Sequence, residues 1–288
     1  MGIRRDADGG QRRPRLGHTG FLDCVPLFWG LARTTALLDV ELVADTPDHL
    51  AQRLLAGDLD IAAVPAVTYL RHSESLLALP GIAAGSDGPM MSSVLVSSVG
   101  LDELHGGAVA LAPAGPTSRR LARLLLEQRY GVVARYVSGS SDPASVLRGA
   151  DAAVLFGNAA LDAAVYRERT SAGPRVYDLA GLWRDWTGLP FVFAVWAVRR
   201  EFAGCRPDAV AAAHRGLLAA RDLARAENSE LAVRTARWEP FDATTLERYF
   251  GRALDYSFGP RQVAGLAEFA RRTEHGAPAL ASGEWFPG

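Results

Sequence analysis

The sequence predicts an α/β protein of two lobes with a ligand cleft between them. Three observations predict it. Short apolar runs alternate with helical patterns from residue 15 to residue 71, a βαβαβα order that marks a parallel sheet with crossover helices. A second alternating unit follows between residues 90 and 156. A late apolar run, Phe191–Val198, then supplies a strand that can cross back to the first unit. With 288 residues, 49% of them hydrophobic, the chain can bury two cores without disulfides or metal.

Each element has a local reason. Arg15–Leu22 reads as the first strand, Pro26–Arg33 as a helix and Leu38–Val43 as a second strand. Thr46-Pro47-Asp48 has cap chemistry with proline at the first helical position, so a helix runs from Pro47 to Ala56 and stops at Gly57. Asp60–Val64 is a third strand, and a helix follows Pro65 through Arg71. Met90–Ser98 reads as a strand leading into the second unit, where Ala108–Leu111, Val132–Val137 and Ala152–Phe156 are further strands. Between them Thr117–Tyr130 is an amphipathic helix with Leu121, Leu124 and Leu125 at helical spacing. After Pro207 the pattern is helical: Ala209–Arg225, Ser229–Arg237, Thr244–Phe250 and Pro260–Arg272. The expected organisation is a disordered leader over residues 1–13, one lobe from residues 14–97 plus 197–288, and a second from 98–196, joined by two crossing strands.

Composition removes several functions. A formal charge of −1 argues against a general polyanion binder, since phosphate-backbone binding needs a basic face. No apolar run is long enough for a bilayer span, so no membrane partner is expected. The sequence contains no lysine, which excludes a lysine Schiff base and a Walker A phosphate loop. Cys24 and Cys205 show neither metal nor disulfide spacing, which fits a reduced, cytoplasmic setting. The histidines are scattered, and no metal site is expected.

The stretch Gly17-His18-Thr19-Gly20-Phe21-Leu22-Asp23-Cys24-Val25-Pro26-Leu27 is the most informative. A strand ends in a turn, and Pro26 stands where a helix begins. A helix N-terminus facing a strand end is where α/β proteins hold small anions. Asp23 puts a negative charge there. It reads as a site residue or as the cap of the following helix, and the two roles can coexist. Asp58 and Asp60 flank the turn into a strand and read as turn residues. Trp183, Trp186 and Trp196 read as core or hinge packing, any one of which can wall an aromatic ligand.

That stretch, together with Gly57-Asp58-Leu59-Asp60-Ile61, Asp87-Gly88-Pro89-Met90-Met91-Ser92-Ser93-Val94, Thr117-Ser118 and Trp186-Thr187-Gly188-Leu189-Pro190-Phe191, resembles the chorismate dehydratase family of the futalosine route to menaquinone, in order and spacing from Arg15 onward. The resemblance implies a type II periplasmic-binding-protein fold. It implies a hydro-lyase that converts chorismate to 3-[(1-carboxyvinyl)oxy]benzoate without metal or organic cofactor. It also implies that the substrate's enolpyruvyl carboxylate can serve as base. The site it implies has Asp23 and Ser92 as catalytic residues, with His18, Cys24, Thr68, Met91, Thr117, Ser118, Asn158 and Pro190 contacting a small carboxylate substrate. Four places depart from the family pattern. Asp23 replaces an asparagine, Thr68 a glutamate, Gly115-Pro116 a Ser-Arg-like pair and Asn158 an aspartate. An ionised Asp23 can only accept hydrogen bonds, where an amide could donate. Two alternatives therefore stay open: a paralogue acting on another cyclic carboxylate, and a non-catalytic carboxylate-binding protein.

Overall fold

The computed structural model describes residues 12–113, 115–140, 142, 145–170, 173–273 and 286. Its strands are β1 (Arg15–His18), β2 (Glu41–Ala44), β3 (Ile61–Pro65), β4 (Leu76–Ser86), β5 (Ser93–Ser97), β6 (Ala108–Leu111), β7 (Arg135–Ser138), β8 (Ala152–Phe156), β9 (Arg175–Asp178) and β10 (Phe191–Arg199). Its helices are α1 (Val25–Arg33), α2 (Pro47–Ala56), α3 (Ala66–Arg71), α4 (Pro116–Leu124), α5 (Asn158–Thr170), α6 (Leu179–Thr187), α7 (Arg200–Cys205), α8 (Pro207–Ala226), α9 (Asn228–Thr235), α10 (Ala243–Arg248) and α11 (Pro260–Arg272).

The strands form two five-stranded sheets, ordered β2-β1-β3-β10-β4 and β7-β6-β8-β5-β9. In the first, β1 runs parallel to β2 and β3, while β10 lies antiparallel between β3 and β4. In the second, β6 is parallel to β7 and β8, and β5 is antiparallel to β8 and β9. Each sheet is covered by helices, which gives the two-lobed α/β architecture. No helix of the described residues is long and apolar enough to cross a membrane.

Several expectations change in detail. β5 pairs only within the second sheet and β10 only within the first. Among the described residues, the lobes are therefore linked by residues 87–92 and 188–190, and the boundaries expected after 97 and 196 shift toward these links. The physical cause at the first link is Met91, whose φ of 68° breaks the strand expected from Met90. Leu38 and Asp39 end a 3-10 turn, and the second strand starts only at Glu41. Arg12, expected in the leader, is ion-paired with Asp60, its Nη2 at 2.8 Å from Oδ1. Residues 1–11 lie outside the described residues. Asp60 is fully buried and also accepts the Arg15 N–H at 2.8 Å, so its role is to anchor the start of β1.

Polar contacts join the lobes across the cleft. Asn158 Oδ1 accepts the Leu22 N–H at 3.1 Å, and Glu168 on α5 pairs with Arg248 on α10 at 2.6 Å. Asp87, on the first link, meets Arg184 of α6 at 2.9 Å and Arg261 of α11 at 3.0 Å.

Candidate active site

A cavity of about 50 Å³ lies between the lobes. The first lobe lines it with Thr19, Asp23, Cys24, Trp196 and Tyr256, among others. The second contributes Gly115, Pro116, Thr117 and Ser118 from the start of α4, and Phe156 from the end of β8. Among the described residues no arginine, histidine or glutamate faces it. No group of three or more histidine, cysteine, aspartate or glutamate side chains among them could hold a metal ion.

Asp23 sits in a single 3-10 turn, Leu22–Cys24, just before α1. The N-cap position of α1 is Cys24, and no side chain caps that helix. The capping role expected for Asp23 is thus absent. Its Oδ1 is buried and makes no hydrogen bond. Burial pushes the carboxyl up to about 6, against a smaller downward pull from the Cys24 thiol and adjacent peptide groups. Its main-chain carbonyl is held by the Tyr256 hydroxyl. Cys24 is buried as well, with Sγ 3.1 Å from Thr19 Oγ1, and burial followed by the Asp23 charge keeps its thiol protonated.

Ser92 is buried, and its Oγ likewise lacks a partner. The residue does not line the cavity wall. It sits beside Tyr249, whose phenol is raised by burial and then by the Asp23 charge. The Ser92 carbonyl accepts the Gly157 N–H at 2.8 Å, which ties the first link to the end of β8. Met91 just before it holds a left-handed conformation, and Asp178 fixes it by accepting the Met91 N–H at 2.6 Å.

Thr117 and Ser118 open α4, where the helix's free N–H groups gather. Thr117 Oγ1 accepts the Val67 N–H at 3.5 Å across the lobes, and Ser118 Oγ accepts from Ser93 at 2.9 Å. Five expected contact residues, His18, Thr68, Met91, Asn158 and Pro190, lie off the cavity. His18 packs edge-on against Phe28, ring centroids 4.2 Å apart, on the face of β1 opposite Thr19. Thr68 is part-buried within α3, where its carbonyl caps the helix end at His72. Met91 is buried in the main core, and the Pro190 carbonyl accepts the Trp183 indole N–H at 3.3 Å. Asn158 bridges the lobes. Of the three tryptophans weighed, Trp196 lines the cavity and Trp183 and Trp186 pack on one another. Tyr249 and Tyr256 were not anticipated. Their sequence signal is weak, since Tyr249 follows Glu247-Arg248 and Tyr256 follows Asp255, and neither run reads as buried.

The buried Asp23 has a consequence for stability. Below about pH 3.8 its carboxyl is neutral in both folded and unfolded chains. Between 3.8 and about 6 the unfolded chain ionises first, so stability falls as pH rises, and above 6 the loss is constant. The gap of 2.2 pH units corresponds to about 3 kcal/mol. Asp23→Asn should therefore melt higher than the unmodified chain at pH 8 and equally at pH 4. A constant difference at both would show that Asp23 is solvated in solution.

Two α/β lobes closing on an interior cavity with a few polar tips define a periplasmic-binding-protein-like architecture. Protein AF1704 from Archaeoglobus fulgidus superposes with a TM-score of 0.72 at 20% identity, covering 91% of this chain and 97% of that one. The alkanesulfonate-binding protein SsuA from Xanthomonas axonopodis pv. citri gives 0.64 at 15% identity over 93% and 95% of the two chains. The Candida albicans CA3427 product, described as having the generic periplasmic binding protein structural fold, gives 0.67 at 12% over 93% and 92%. The chain belongs to the menaquinone-biosynthesis family, whose profile matches residues 14–275. A chorismate dehydratase from Thermus thermophilus is 34% identical over 203 residues, 65% of this chain and 73% of that protein.

Proposed function

We propose that this protein is a chorismate dehydratase, a carbon–oxygen lyase that removes water from chorismate to give 3-[(1-carboxyvinyl)oxy]benzoate. The observation that carries the reading is membership of the menaquinone-biosynthesis family with 34% identity to a chorismate dehydratase, and the group the reaction must accommodate is the Asp23 carboxyl, buried at the cavity with Oδ1 unpartnered. In the reaction a ring C–H is deprotonated, the neighbouring C–O bond breaks and the ring becomes aromatic. The proton leaves to the substrate's own enolpyruvyl carboxylate, and the departing hydroxyl takes a proton to leave as water.

Asp23 supplies that second proton. Two like charges near 4 Å cost about 4 kcal/mol at an effective dielectric near 20, so a bound dicarboxylate raises the Asp23 pKa further still. In the complex the residue is then a neutral acid. It donates, as an amide would, and it can also deliver its proton. The enolpyruvyl carboxylic acid returns a proton to the site afterwards, so the enzyme is unchanged over the cycle. Thr117, Ser118 and the first N–H groups of α4 face the carboxylates, and the apolar walls exclude water.

Incubating the purified protein with chorismate and following the aromatic enol ether tests the reading; no product at high enzyme concentration overturns it. Ser92 lies behind the cavity wall beside Tyr249, so Ser92→Ala should lower kcat only a few-fold, with KM little changed. Unchanged kcat would confine Ser92 to a structural role.

A further inference from the structure

A second concavity lies on the other side of Pro116, which lines both spaces. Its volume is about 430 Å³, within the range of small-molecule sites. Four arginines line it: Arg71 at the end of α3 in the first lobe, and Arg119, Arg120 and Arg123 on α4 in the second. No aspartate or glutamate among the described residues lines it. Its floor is Leu111 and Ser138, the last residues of the parallel pair β6 and β7. The carboxyl ends of parallel strands, beside the start of the following helix, are the general place for ligands in α/β sheets.

The arginines of α4 are positioned by neutral groups. Arg119 donates to the Pro113 carbonyl at 2.8 Å, Arg120 to the Thr273 carbonyl at 2.9 Å, and Arg123 stacks 4.3 Å over the Tyr136 ring. None of these three forms an ion pair among the described residues. One buried atom of the lining, Arg120 Nε, has no hydrogen-bond partner, while the Tyr136 hydroxyl is met by the Glu127 carboxylate. Three fixed positive charges lie on one helix face, where Arg123 is within one turn of both Arg119 and Arg120, and they repel one another. An anion relieves that repulsion.

We propose that this groove is a second anion-binding site, for a compact multivalent oxyanion, bridging Arg71 of one lobe to Arg119 and Arg123 of the other. Such an anion joins the lobes where Val67 already donates to Thr117, and so favours the closed cleft. Phosphates and small dicarboxylates share the required chemistry, since the guanidinium fork matches either. The proposal does not depend on which ring the central cavity takes.

Isothermal titration at constant ionic strength, with sodium pyrophosphate and sodium malonate as separate probes and sodium chloride as reference, tests it. One site per chain is expected for at least one probe, and the tighter of the two identifies the source class. Arg119→Gln/Arg123→Gln should weaken binding at least tenfold. Arg71→Gln, on the opposite lobe and at an exposed helix end, should do the same without disturbing α4. The bound probe should also raise the melting temperature of the unmodified chain and not of the double variant. Binding no stronger than chloride, or equal affinity in the unmodified chain and both variants, overturns the proposal.

Discussion

At pH 8 the Asp23→Asn variant should turn over chorismate with kcat/KM one to two orders of magnitude above the unmodified chain, and near pH 5 the unmodified chain should match or overtake it. The free-enzyme pKa governs kcat/KM. With burial holding Asp23 at about 6, only about 1% of the chain carries the neutral acid at pH 8, and most of it does at pH 5. The amide of the variant donates at every pH, so its profile lacks the falling limb. The unmodified chain gains a proton it can deliver, which the amide cannot. That gain appears as a higher plateau in acid if proton delivery limits the rate. A ratio between the two enzymes that stays flat from pH 5 to pH 8 would remove Asp23 from the reacting groups. The reading as a non-catalytic carboxylate binder makes a different forecast: tighter chorismate binding by the variant at pH 8, with no product from either chain.

Gly30→Ala should destabilise the protein by roughly 2–4 kcal/mol and depress turnover with it. Gly30 lies on α1, where α8 crosses so closely that an added Cβ would stand 2.1 Å from the Ala220 carbonyl oxygen and 2.3 Å from its Cα. These are backbone atoms, so no side-chain rotation relieves the clash and the helices must separate. Overpacking of this kind costs about 1–3 kcal/mol, and more when backbone must move. Alanine's better helix propensity returns only about 1 kcal/mol. α1 begins at the turn that holds Asp23, so displacing it moves the carboxyl relative to Tyr256. The expected melting point falls by roughly 5–10 °C. An unchanged melting point would mean that the two helices are farther apart in solution.

The first sheet was legible where chemistry is local. Thr46 caps α2, accepting the His49 N–H, and Gly57 ends it with φ of 86°. β4 was hidden because Leu76–Ser86 contains Pro80, Gly81 and Gly85, residues that read as a turn. The strand absorbs them through irregular register against β10, with Gly81 at φ 75° and the Pro80 carbonyl accepting His214. β9 was missed because it is a four-residue edge strand with charged ends. In the site, Asp23, Cys24, Thr117 and Ser118 reach the cavity because each stands at an element's start, which sequence marks well. His18 does not, because side chains alternate along a strand and its neighbour Thr19 takes the cavity side. Tyr256 arrives from more than 230 residues away, through the bridge between Gly85 and Asp255 and the bonds that Ala83 and Gly81 donate to the Tyr256 and Phe258 carbonyls. No local pattern encodes that meeting.

The place of β10 in the first sheet also bears on how the molecule is made. β3 and β4 follow one another along the chain, yet they are held apart by β10, which is synthesised more than a hundred residues later. The second sheet, by contrast, is drawn entirely from residues 93–178. During synthesis the second lobe therefore has all its strands while the first still lacks the one that joins β3 to β4. The nascent first lobe must wait with the apolar edges of β3 and β4 unpaired, the kind of surface on which chaperones act. The cavity, which needs Tyr256, is completed only after β10 and every strand of the second lobe have been made.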